Sequence, residues 1–168
     1  EVLDGVPAED PRLEVQVGST FAARAGNAVT HLLDSEGVRS VAVVDGRAPL
    51  LERTTVDTAA MKLRRADVVL GPDAGGDVYF AGFCEPVDFT DAYTPPAVET
   101  LARRAVAADR SVDFLPQMTA VRTRRDLRTV LAAVAARRVA DRTVPTATAR
   151  ALDEAGVTAA DLTATDSS

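Results

Sequence analysis

The side chains of this 168-residue chain that could do chemistry gather in three loops, 45–49, 73–77 and 116–122. Each follows a run that reads as a strand, and in open α/β sheets ligands bind beyond the carboxyl ends of the strands. The loops hold three acids (Asp45, Asp73, Asp77), two arginines (Arg47, Arg122) and the Gly75-Gly76 pair. That pair has two readings, a phosphate-binding turn or a plain hairpin turn between two strands. His31 is the only histidine and lies between apolar Ala28 and Leu32. A base without an orienting partner is uncommon, so it reads as a partly buried structural residue. Cys84, the only cysteine, reads as a small core or edge residue. Arg122, Arg124, Arg125, Arg128, Arg137, Arg138 and Arg142 invite a nucleic-acid reading. A net charge of −6 and the lack of interleaved aromatic residues favour a solvated helix face paired with local Asp. The loop at 85–93 reads either as an acceptor-site lid or as a packed crossover.

Composition bounds the setting. One cysteine allows no intrachain disulfide and no Cys-rich zinc cluster, and no apolar run approaches the roughly 18 residues that span a bilayer. A hydrophobic fraction of 46% is that of one soluble globular domain, expected in the cytoplasm. The 25 acids, mostly Asp, stand against 18 arginines and the lone Lys62. Such a surface stays soluble where salt screens charge over only about 3 Å. A salt-loving host or GC-rich coding explains it equally well.

The elements that must position the loops follow from periodicity. Residues 1–12 read as a lead-in loop, 13–162 as one α/β domain and 163–168 as a flexible tail. A short strand is expected at 13–17, then a helix capped by Ser19 with Phe21, Ala25, Ala28, Val29, Leu32 and Leu33 on one face. The strand at 38–44 is apolar without alternation, which predicts cover on both faces. Thr54 with Asp57 resembles a capping box that opens a helix to about Arg65. Strands are expected at 67–70, 78–83 and 111–115, and helices after Thr94-Pro95-Pro96, after a Thr123 cap and over 146–155. Strands alternating with helices predict a three-layer α/β/α arrangement about a mainly parallel sheet.

Ala66-Asp67-Val68-Val69-Leu70-Gly71-Pro72, a Gly-rich turn and then Tyr79-Phe80-Ala81-Gly82-Phe83 resemble the signature of a small prokaryotic family of glycosyltransferase-like proteins. These are the radical-SAM/selenodomain-associated transferases, with the nucleotide-diphospho-sugar transferase (GT-A) fold. Gln16 with Arg24 and Asn27, Pro49 after its strand, and Val121-x-Thr123-x-x-Asp126-Leu127 extend the resemblance over roughly residues 15–131. It implies a nucleotide or nucleotide-sugar partner, with Arg24 in or beside the binding face. It also implies an upstream strand and a Lys-Thr-Arg type loop, so the chain is expected to be the later two-thirds of a longer protein.

The departures from the family pattern concern charge. Such enzymes hold Mg²⁺ or Mn²⁺ against the diphosphate with acidic side chains. Arg47 stands at the family Asp of Gly-x-Asp-x-Pro, Gly75-Gly76-Asp77-Val78 at Asp-Gly-Gly-Tyr, and Ala120 and Arg122 replace both acids of the closing motif. Arginine cannot ligate a metal, so no metal or other cofactor is expected unless Asp45, Asp73 and Asp77 take over from displaced positions. Arg47 and Arg122, with Gly75 and Gly76, would instead clamp an anion, because guanidinium binds phosphate oxygens in a bidentate fork. Asp77 is the best surviving acid for catalysis. Two functions follow: a transferase without its metal, or a non-catalytic binding or assembly module that keeps the fold as scaffold.

Overall fold

The computed structural model describes residues 14–163. The expected lead-in at 1–12 and most of the expected tail lie outside them. Residues 14–17 are not a strand; they run exposed into Gly18. Helix α1 (Phe21–Thr30) is capped by Thr20 rather than Ser19, with the Thr20 hydroxyl accepting from the Ala23 amide at 3.1 Å. It continues as one π-helical turn, His31–Ser35, that buries Leu33. His31 is exposed, against expectation, and its Nε2 lies 3.3 Å from Glu36.

Strand β1 (Val41–Val44) leads to α2 (Arg53–Lys62). Thr54 does not cap α2: the N-cap is Glu52, with no side-chain capping bond, and Asp57 instead lies 3.7 Å from Arg53 on the exposed helix surface. Strands β2 (Val68–Pro72) and β3 (Val78–Phe83) form a hairpin through the Gly-rich turn. Helix α3 (Ala97–Ala107) starts after an N-cap at Pro96, preceded by a cis peptide bond from Pro95. Strand β4 (Val112–Phe114) leads to α4 (Arg124–Val139), opened by a Thr123/Asp126 capping box, and then to α5 (Thr146–Ala155) and α6 (Ala159–Thr163).

The sheet is mixed, in the order β1-β3-β2-β4. The expected mainly parallel pairing is corrected here. β3 returns by a tight turn and inserts between β1 and β2, antiparallel to both, so only the β2·β4 ladder is parallel. The burial pattern of β1 overturns the expectation that it is covered on both faces. Among the described residues it is the outermost strand on that side, and its residues alternate between half-buried and exposed.

Alternation on β2 divides the core. Val68 and Leu70 join Val29, Leu33, Leu101 and Ala105 in one cluster, whereas Val69 joins Ala59, Tyr79 and Leu115 in another. A bulge puts Tyr79 and the following Phe80 into the same cluster: Gly71 faces Phe80 and Pro72 faces Val78, so Tyr79 is the extra residue. Gly71 makes this possible, because a Cβ there would lie 2.6 Å from the Tyr79 ring. The Tyr79 hydroxyl then donates to the Pro116 carbonyl at 2.9 Å and fixes the start of the third loop. Among the described residues no helix is long and apolar enough to cross a membrane.

Candidate functional site

Asp45 directly follows β1, and its amide extends the β1·β3 ladder by donating to the Tyr79 carbonyl at 2.9 Å. Its carboxylate turns the chain by accepting the Arg47 amide at 3.0 Å, and it holds the Arg47 side chain in a fork with Nε and Nη2 each at 3.0 Å. Burial pushes the Asp45 carboxyl up, but the bonds from Arg47 and the charges of Arg47 and Arg122 outweigh it, so the group sits below its ordinary value. The bond to Asp45 correspondingly raises Arg47.

Asp73 follows β2 and organises the hairpin turn. Its side chain is 2% exposed. Oδ1 accepts the amides of Gly75 at 2.8 Å and Asp77 at 2.9 Å, and the Gly76 amide donates to the Asp73 carbonyl at 3.3 Å. Gly76 has φ of +83°, a conformation that side chains resist. All three turn amides therefore point inward, which favours the hairpin reading of the Gly75-Gly76 pair over the phosphate reading.

Arg122 joins these loops. Its chain is placed by the Val121 amide, which donates to the Arg47 carbonyl at 2.7 Å, and by Asp126, which accepts the Arg122 amide at 3.1 Å. The guanidinium then enters the space between the acids: Nε donates to Asp73 Oδ2 at 3.0 Å, Nη2 to Asp45 Oδ2 at 3.1 Å, and Nη2 lies 3.4 Å from Asp77 Oδ2. Three carboxylates from two of the loops, 45–49 and 73–77, thus converge on one arginine side chain from the third. With Arg47 the group retains one net negative charge.

Hard cations need carboxylate oxygens free to coordinate. Here both Asp73 oxygens and both Asp45 oxygens already accept hydrogen bonds. Among the described residues no group of three or more His, Cys, Asp or Glu is arranged to hold a metal.

Beside the cluster lies a cleft of about 290 Å³. Asp45, Arg47, Asp77 and Arg122 line its polar side, and Phe21, Val44, Val78 and Tyr93 contribute to the apolar side. Phe21 and Tyr93 meet edge to face at 4.8 Å, and the Tyr93 hydroxyl is buried without a hydrogen-bond partner. Burial pushes that phenol well above its ordinary value. The loop at 85–93 is a packed crossover, since Val87, Phe89 and Ala92 are buried in the core cluster. Phe89 approaches α1 so closely that a Cβ at Gly26 would meet it at 2.7 Å.

Of the residues singled out in the sequence, Asp45, Arg47, Asp77 and Arg122 line the cleft and Asp73 supports it from behind. Gly75 and Gly76 do not line it. Neither does Arg24, whose Nη1 lies 3.5 Å from the Gly18 carbonyl. Phe21 was missed as a site residue because its place on the apolar face of α1 reads as core; its 50% exposure is the tertiary fact that moves it to the cleft.

No family model matches the chain, and no curated protein matches it. Among solved structures it is similar to a "putative nucleotide-diphospho-sugar transferase" from Desulfovibrio desulfuricans, with a TM-score of 0.60 and 22% identity over 69% of this chain. The chain spans about half of that protein, 52% of its length. The likeness is one of fold.

Proposed function

We propose that this chain is a nucleotide-diphospho-sugar transferase-like protein in which the Arg122 guanidinium takes the place of the divalent cation, so that its cleft binds without metal-dependent group transfer. The radical-SAM/selenodomain-associated transferases are the family whose signature it resembles, and a nucleotide or nucleotide-sugar is the corresponding partner. The observation that carries the reading is the position of Arg122 between Asp45, Asp73 and Asp77. A guanidinium there neutralises carboxylates as a cation would, but it offers no open coordination position and cannot follow a leaving diphosphate as an exchangeable ion can.

Within this reading Arg47 is the residue that meets a phosphate oxygen. Its side chain is 57% exposed at the cleft, whereas Arg122 is largely enclosed by acids. The net negative charge of the cluster disfavours the build-up of negative charge on a leaving diphosphate, which counts against turnover of an activated donor. Calorimetric titration with UDP-glucose in Mn²⁺ and in EDTA tests this. The expected isotherms are the same in both, with Arg47→Ala weakening any binding seen. Micromolar binding that appears only with Mn²⁺ overturns it.

A further inference from the structure

Two of the three loops at the cleft begin on bonds to one residue, Tyr79, which does not itself line the cleft. Tyr79 is fully buried, in the core cluster with Ala59, Val69 and Leu115. Its carbonyl accepts the Asp45 amide at 2.9 Å, where the first loop leaves β1. Its side chain runs the other way, across β2, and its hydroxyl donates to the Pro116 carbonyl at 2.9 Å, where the third loop leaves β4. The ring passes over Gly71, through space that a Cβ there would close to 2.6 Å. Burial pushes the phenol above its ordinary value, so it stays protonated and remains a donor at neutral pH.

We infer that Tyr79 is a positioning residue for the cleft: its phenol sets where the third loop departs from the sheet, and with it where the Arg122 guanidinium stands among the acids. Pro116 has no amide, so its carbonyl is the one backbone group by which that residue can be hydrogen-bonded. Beyond Pro116 the loop is tied by the Met118 amide to the Pro72 carbonyl at 3.1 Å and by the Val121 amide to the Arg47 carbonyl at 2.7 Å. A shift that starts at Pro116 is therefore passed to the backbone of Arg47 as well as to Arg122. The bonds of Arg122 to Asp73 and Asp45, at 3.0 and 3.1 Å, lie near the upper end of good N–H···O geometry, about 3.2 Å, and tolerate only a small displacement. This placement is independent of what the cleft binds.

Tyr79→Phe removes the hydroxyl and keeps the ring. In the full 168-residue chain, two measurements test the positioning: a double-mutant cycle of Tyr79→Phe with Arg122→Gln in urea, and the NMR signal of the Arg122 Nε–H, assigned by through-bond correlation. The unfolding constant of the double variant is expected to differ about threefold or more from the product of the single effects. The Nε–H signal is expected to shift, or to broaden through exchange with water, in Tyr79→Phe at unchanged circular dichroism. Val69→Ala thins the same core cluster and keeps the phenol bond, so it is expected to lower stability and leave the signal in place. Single effects that simply multiply overturn the inference, as does an Nε–H signal that stays in place in Tyr79→Phe or that Val69→Ala moves as far. The NMR signal decides alone if the doubly substituted chain does not fold.

Discussion

Arg122 and Arg103 both face carboxylates, in surroundings that give the contacts different weight. Arg103 reaches Glu99 one helical turn away at 2.5 Å, with the two side chains 77% and 53% exposed. Arg122 reaches its acids at 3.0–3.4 Å, but it is 25% exposed and Asp73 is 2% exposed. The shorter contact is the weaker one, because water screens the helix pair and competes for both partners. Around Asp73 water is largely excluded, and the Asp73 and Asp45 carboxylates depend on the hydrogen bonds that replaced their hydration. Position at the carboxyl ends of the strands, more than distance, makes the arginine structural there.

The largest effect is expected at Asp73. Asp73→Ala leaves the Gly75 and Asp77 amides and the Arg122 Nε without their acceptor, and urea denaturation should show a loss of about 3–5 kcal/mol. Arg122→Gln removes the shared cation from three acids. Its cost at neutral pH, discounted for partial exposure, should be about 2–3 kcal/mol. Because the cost is carboxylate repulsion, the deficit against the wild type should shrink as the pH is lowered toward the carboxylate range.

Arg47→Ala refines the comparison through titration. The folded-state value of Asp45 is lowered, so its contribution to stability is present above the unfolded value and is lost as pH falls through the folded one. Without Arg47 that depression is smaller. The stability of the variant, followed by thermal melts from neutral to acid pH, should then fall less steeply on the acid side, from a starting point lowered by about 0.5–1 kcal/mol. At the far end of the scale, Glu99→Ala should change the urea midpoint by less than about 0.5 kcal/mol despite its short contact. A loss there as large as that of Asp73→Ala would erase the distinction between the two regions.

What the sequence makes legible divides along similar lines. Local features carry over. The β2–β3 hairpin is one of the two readings of the Gly75-Gly76 pair, the Thr123 cap opens α4, and α5 keeps its expected span of 146–155, whereas the spacing of three at Thr54 and Asp57 makes no capping box. Long-range features do not. Nothing in Val41–Val44 says that only one of its faces is covered, since an apolar run reads the same whether one face or two are covered. The insertion of β3 between β1 and β2, and with it the antiparallel pairing, is a choice among topologies that periodicity does not encode. The bulge at Tyr79 leaves a trace only in Gly71, whose missing Cβ admits the ring.

At the site, the residues with the right chemistry could be named from their loops, but their relations could not. Arg47 and Arg122 read as groups open to an anion. In the fold both turn onto Asp45, and Asp73 gathers the turn amides a phosphate would need. Residues 45 and 122 are 77 positions apart, and only the convergence of strand ends brings them within bonding distance.

The place of the Arg122 guanidinium is tested most directly by a crystal structure of the chain grown in Mn²⁺, with anomalous data collected for the metal. The account predicts a planar guanidinium bonded to Asp45 and Asp73 beside Asp77, with no anomalous peak among them. A peak coordinated by those three carboxylates, with Arg122 swung out into solvent, would contradict it.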